Sequence, residues 1–193
     1  MRKEKRIREI AIFSIILALV ISLIIILFFV SPQEIVSMLG VSNAFAFTFL
    51  TSFFAGFSAW TSFSFVAVLI TFTLGGLNFF YLGLISGAGL IIGDFLMFFL
   101  SSKARNIASS SSEKWEKRLR KLTKIFQGKP RKLIPFLTFV YMGLTPFPND
   151  LLIIFLALIK MPIKKLYIPI ILGDLTYPLM ITFLTAKGVI LFT

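Results

Sequence analysis

The chain has 193 residues, of which 58% are hydrophobic and only 15% charged, with a mean hydropathy of +0.95. A soluble domain of this length cannot bury that much apolar surface, so the sequence reads as an integral membrane protein. The formal charge of +12 is confined to short stretches, which points to orientation in a membrane and away from nucleic acid. With no Cys and no His, disulfides, thiolate chemistry and His-dependent zinc, triad and proton-relay schemes are excluded.

Residues 1–42 open with five basic side chains in the first nine positions, followed by an unbroken apolar run over residues 10–30. That run is about a full membrane span, longer than the ~7–15 residue core of a secretory signal. The following Ser31-Pro32-Gln33-Glu34 offers no small-residue cleavage site. We therefore expect an N-terminal transmembrane helix over about residues 8–30, then a short interfacial piece with Gly40 as its stop.

Residues 43–102 form the next unit. Residues 43–75 are apolar but dense in small and hydroxyl side chains, with Thr51, Ser52, Gly56, Ser58, Thr61, Ser62 and Ser64 near the centre. This composition fits a re-entrant hairpin with Trp60 near its tip, or one long kinked crossing. Residues 74–78 (Leu-Gly-Gly-Leu-Asn) break the pattern, and a span over residues 79–100 follows. It carries Gly83, Gly87, Gly89 and Gly93, and one charged residue, Asp94.

Residues 103–132 hold eleven Lys or Arg against Glu113 and Glu116. Together with residues 1–9 they are expected on the cytoplasmic side. Residues 109–112 read as a serine linker, with Ser110 and Glu113 in capping-box spacing. Trp115, Leu119, Leu122 and Phe126 then recur at helical spacing, with Lys117, Arg118, Lys121 and Lys124 on the other face. Such a basic amphipathic helix lies on anionic headgroups or packs, solvated, against its own membrane domain.

Residues 133–193 begin with an apolar stretch interrupted by Tyr-Met-Gly-Leu-Thr-Pro-Phe-Pro-Asn-Asp, from Tyr141 to Asp150. Pro146 and Pro148 each remove a backbone donor, and a broken backbone survives in hydrocarbon only where protein or a wet cavity satisfies it. The stretch is expected to be the tip of a second re-entrant hairpin, shaped by Gly143, Pro146 and Pro148. A last span follows to about residue 185. Counting charges places the two hairpins on opposite faces, and both following helices carry the dipeptide Gly-Asp (Gly93-Asp94 and Gly173-Asp174). The expected fold is an all-α polytopic membrane protein. It is an inverted repeat of two re-entrant helical hairpins, each followed by a transmembrane helix, plus the N-terminal transmembrane helix.

Ionisable groups at membrane depth mark functional sites by default. Asp94, Asp150 and Asp174, with Asn149, are expected to line a midplane cavity and bind a proton or cation. Structural roles compete: Asp150 could cap the following half-helix, Asp94 could pair with Lys103 or Arg105, and Lys165 could reach toward Asp174. Gly83, Gly87, Gly93 and Gly173 read as close helix packing, within the domain or across a homodimer. No residue set calls for a cofactor or a metal.

Gly83-Leu-Ile-Ser-Gly-Ala-Gly-Leu-Ile-Ile-Gly-Asp94 and Thr145-Pro-Phe-Pro-Asn-Asp150, the latter followed by Ala157-Leu-Ile-Lys-Met-Pro162, resemble the DedA/VTT (SNARE-associated) superfamily over roughly residues 43–185. That resemblance implies movement of lipids across bilayers, as in undecaprenyl phosphate recycling or phospholipid scrambling, with proton dependence in some members. The first hairpin departs from the family in lacking an acidic, proline-rich tip, and the second in lacking arginines. The expected function is a lipid or polyprenyl-phosphate translocase of the cell membrane, coupled to a proton or cation. Its partners would be membrane lipids and their phosphates. A small proton-coupled solute exporter and a non-transporting scaffold are the alternatives. An enzyme is not expected, because no motif sets a nucleophile beside a base.

Overall fold

Glycine, proline and asparagine punctuate this chain into helices, and no strand occurs among the described residues. The computed structural model describes residues 32–57, 59–111, 113–126 and 129–188. The expected N-terminal transmembrane helix lies outside them, as do the side chains of Trp60, Thr61 and Ser62. The helices are α1 (Pro32–Leu39), α2 (Val41–Phe57), α3 (Ala59–Leu74), α4 (Phe79–Ser111), α5 (Glu113–Ile125), α6 (Lys129–Leu144), α7 (Asn149–Leu158) and α8 (Tyr167–Ala186). A 3-10 turn, Ile163–Lys165, precedes α8.

Local chemistry explains most boundaries. Gly40 adopts φ +77°, ending α1 where the sequence places a stop, and the chain bends by 100° into α2. At the end of α3 the Leu77 N–H reaches back to the Phe72 carbonyl and the Gly76 N–H to that of Thr73. This Schellman closure needs the left-handed φ of +90° at Gly76. Asn78 then caps α4, its Oδ1 accepting from the N–H groups of Phe80 and Tyr81 at 3.0 and 3.2 Å. The end of α7 repeats the closure: Met161 N–H bonds Leu156 O and Lys160 N–H bonds Ala157 O. Here the left-handed position is held by a lysine, Lys160 at φ +57°. Arg105 and Arg131 donate to the carbonyls of Ala157 and Lys160, tying this end down.

One expectation is corrected. The span expected to end at residue 100 continues as α4 to Ser111, so Ser110 lies inside that helix, ahead of the start of α5 at Glu113. The extension, Ser-Ser-Lys-Ala-Arg-Asn-Ile-Ala, contains no Gly or Pro to stop it. Arg105 also anchors it to α7.

The two long helices α4 and α8 pack along each other. Helix α2 flanks α4 and α6 flanks α8, while α3 lies on α8 and α7 on α4. Glycines set the closest approaches. A Cβ at Gly56 would stand 2.7 Å from Leu90 O, and one at Gly89 2.6 Å from Phe49 O, so α2 and α4 touch backbone to backbone. Gly83 and Gly87 meet Leu179 and Leu175 of α8; their small-residue spacing serves packing within the chain. Gly173 fits against Met142 and Gly143 of α6. Pro178 removes the donor that would bond the Asp174 carbonyl four residues earlier, and Gly87 packs over that carbonyl.

Apolar residues close the structure in two clusters. One joins α1, α2, α3 and the first half of α4 around Phe65, Leu69 and Leu82. The other joins α6, α7, α8 and Phe98 around Met142, Ile153 and Leu166. Two helices, Phe79–Ile107 within α4 and α8 itself, are long and apolar enough to cross a membrane, or three spans if the bent α1–α2 pair counts as one. Helices α3, α6 and α7 have 16, 16 and 10 residues. At 1.5 Å per residue they reach about 24, 24 and 15 Å, short of the ~30 Å hydrocarbon core.

Lys160→Gly should raise stability by roughly 1 kcal/mol, because it relieves a side chain held in the left-handed region. Gly93→Ala should lower it by about 1–3 kcal/mol, since the added methyl strikes the Phe53 carbonyl and the Gly56 backbone. Equilibrium unfolding in detergent checks both signs.

Candidate functional site

The break at Pro146 and Pro148 delivers one side chain to the centre of the structure. Helix α6 stops at Leu144 and α7 restarts at Asn149. Between them Thr145 Oγ1 donates to Tyr141 O at 2.6 Å, the Tyr141 hydroxyl donates to Pro148 O at 3.3 Å, and the Tyr141 ring stacks on Phe147. Proline immediately before a helix fixes its entry geometry. Asn149, the first residue of α7, is thereby aimed across α4 and α8.

Its amide meets two carboxylates. Nδ2 donates to Asp94 Oδ2 at 3.2 Å and to Asp174 Oδ1 at 3.1 Å. The opposite amide orientation would point a carbonyl at both carboxylates, so the donor orientation follows from charge. Asp94 and Asp174 are both completely buried. The second oxygen of each, Asp94 Oδ1 and Asp174 Oδ2, has no hydrogen-bond partner among the described residues. The two carboxyl groups share the one amide, and neither can donate while ionised. Protonation or a cation at the pair would offset the cost of burying carboxylate oxygens without partners.

Each Gly-Asp dipeptide stands at a glycine–glycine helix crossing. Gly93 meets Gly56 of α2, and a Cβ at Gly56 would lie 3.2 Å from Asp94 Oδ1. Gly173 meets Gly143 of α6. The glycines let α2 and α6 close over the carboxylates, which excludes water from them. Two turns before Asp94, Ser86 is equally buried and its Oγ is also without a hydrogen-bond partner among the described residues.

Asp150 stands beside the bridging amide. It is buried in the first turn of α7, where its Oδ1 accepts from the Leu151 N–H at 2.9 Å. It sits near Asp94 without sharing the Asn149 amide. The salt-bridge expectations are replaced: Asp94 is met by Asn149 while Arg105 turns to Ala157 O and Asn106. Asp174 is likewise met by Asn149, and Lys165 is exposed in the 3-10 turn.

Above the amide lies a cavity of about 330 Å³. Phe65, Val66 and Ile70 of α3, Leu90 of α4, Tyr177 of α8 and the tip residues Pro146–Asn149 form its walls. Of the four expected pathway residues only Asn149 lines it; the aspartates stand behind the amide. Phe147 and Pro146 are exposed on its outer side. Nothing in the sequence marks the α3 wall, since apolar residues there read equally well as lipid-facing. The placement of Asn149 directly after Pro148 was the available clue to its central position.

Helix α5 turns Leu119 inward to burial and sets Phe126 edge-on against Phe155 of α7, with ring centroids 5.0 Å apart. Leu119 and Phe126 of its apolar stripe thus dock on the protein itself. Trp115, Lys117, Arg118, Lys121 and Lys124 remain exposed. Among the described residues no group of three or more His, Cys, Asp or Glu side chains could hold a metal ion. The fold and site define an all-helical protein with membrane-length helices and a buried polar centre. Compared with protein-family models, curated proteins and solved structures, the chain matches none.

Asn149→Leu should destabilise the protein by about 1–3 kcal/mol, because two buried carboxylates lose their shared donor. Asp94→Asn should couple to Asn149→Leu by roughly 0.5–3 kcal/mol in a double-mutant cycle. Unfolding curves of the two single mutants and the double mutant measure this directly.

Proposed function

We propose that this chain is a membrane transport protein, a lipid translocase of the DedA/VTT kind. In this reading a proton or cation, taken up between Asp94 and Asp174, is coupled to movement of an amphiphile past the α6–α7 tip. The observation that carries it is the single amide of Asn149 bridging two fully buried carboxylates at the floor of an apolar cavity. A hairpin tip that shifts would break both hydrogen bonds together, and loading or unloading of the carboxylates would bias that shift.

Several features support an inverted repeat as the frame. Helices α2–α3–α4 correspond to α6–α7–α8: each first arm packs on the long helix of its own half, and each second arm on that of the other half. Both second arms end in the same closure, at Gly76 and Lys160. Both long helices carry Gly-Asp at a glycine crossing. Arms too short to cross by themselves fit hairpins entering from opposite faces, meeting at a midplane site. With residues 103–132 in the cytoplasm, the second hairpin enters from that side of the cell membrane.

The cavity favours acyl chains over a hydrated solute, because among its described lining residues Asn149 is the one side chain with an amide or charge and aromatic and aliphatic groups make the rest. No basic side chain lines it among the described residues. A neutral or cationic head group suits the acidic floor better than the phosphate of a polyprenyl carrier. No step of this scheme makes or breaks a covalent bond.

Reconstituted protein should move fluorescent phospholipid between leaflets of proteoliposomes. Asp94→Asn and Asp174→Asn should each slow it about tenfold or more, equivalent to ~1.4 kcal/mol on the barrier. Asp150→Asn should have a smaller effect. Collapsing an imposed proton gradient should slow the wild type and leave Asp94→Asn unchanged. If wild type moves no lipid, or if both aspartate variants match it, the proposal falls, and a scaffold role would account for the variants.

A further inference from the structure

Away from the carboxylate pair, a second groove of about 400 Å³ opens where the extension of α4 meets α5 and α7. Its walls are Ala104, Leu119, Ile154 and Leu158, and its rim carries Arg105, Trp115 and Arg118. Arg118 sets its guanidinium over the Trp115 ring, 5.6 Å from the centroid. Trp115 itself is 52% exposed although its helix neighbours Leu119 and Phe126 turn inward. Among the described residues no acidic side chain lines this groove; Glu116 faces a different one.

We propose that this groove binds an anionic phospholipid at the membrane surface. One acyl chain lies along Ala104, Ile154 and Leu158, and the headgroup phosphate is held by Arg118, with Arg105 behind it. The occupant follows from the chemistry of the walls. An apolar floor of this size is within the range that small ligands occupy. A planar guanidinium fork matches phosphate oxygens better than any other side chain. Tryptophan at a membrane surface places an apolar body beside a polar edge. The extension of α4 beyond residue 100 builds one wall, so the site exists only because the helix continues out of its apolar stretch.

Arg105 also ties the groove to the hairpin, since it donates to Ala157 O at the end of α7. A bound lipid would therefore hold α4, α5 and α7 together, on the opposite end of α7 from Asn149. This site is independent of the transport reading and would stand if lipid translocation failed.

The test uses full-length protein in an uncharged detergent with Trp60→Phe, which leaves Trp115 as the only tryptophan. Phosphatidylglycerol and phosphatidylcholine with brominated acyl chains are titrated, and bromine in contact quenches the indole. Phosphatidylglycerol is expected to half-quench at a concentration roughly fivefold lower or better, the scale of one basic side chain at an anionic headgroup. Arg118→Gln should remove that preference, Arg118→Lys should keep part of it, and Lys121→Gln, on the exposed face outside the groove, should leave it intact. Circular dichroism of each variant verifies that it is folded. Equal quenching by both lipids, no quenching by either, or an equal loss with Lys121→Gln would each overturn the proposal, the last by assigning the effect to diffuse surface charge.

Discussion

Two carboxylates buried in a membrane domain and served by one amide are the constraint around which the rest of this structure is arranged. An aspartate at the centre of a membrane helix costs about 2.5–3.5 kcal/mol on insertion scales, and Asp94 and Asp174 are both fully buried. The chain offsets that cost by bringing them together across α4 and α8 and aiming the Asn149 amide between them. One oxygen of each carboxylate has no hydrogen-bond partner among the described residues.

Everything close to the pair serves its closure. Glycines at 56, 93, 143 and 173 remove the side chains that would hold α2 and α6 away from the long helices. Pro146 and Pro148 stop α6 and restart α7 so that Asn149 falls on a first turn. Pro178 frees the Asp174 carbonyl where Gly87 crosses it. The same residue types would be defects in a simple membrane span, where an unbroken helix satisfies its own backbone.

The two ends of α7 carry different chemistry. Its beginning holds the acidic, buried centre; its end is clasped by Arg105 and Arg131 near the basic surface helix. A ten-residue helix this short moves as one rigid body, so whatever shifts at one end reaches the other. That physical link joins the α6–α7 tip to the groove beside α5.

Much of this was legible in the chain itself. Hydropathy identifies a membrane protein, and a helix-stop glycine at Gly40, the break at residues 74–78 and the proline-broken tip all lie where local backbone chemistry puts them. Gly93-Asp94 and Gly173-Asp174 stand out as a repeated pair, because charge is scarce in apolar sequence. Three things were decided only by tertiary packing. Helix α4 runs on to Ser111, since Arg105 finds its partner on α7, 52 positions away. Asn149 bridges Asp94 and Asp174, because the angle at which α7 leaves the tip aims its amide between them. The apolar cavity arises from the α3 wall, whose residues read as lipid-facing in one dimension. Local rules fix where helices begin and end through the backbone's own hydrogen bonds. Which buried groups meet is set by contacts between residues far apart in sequence, and no local pattern encodes those distances.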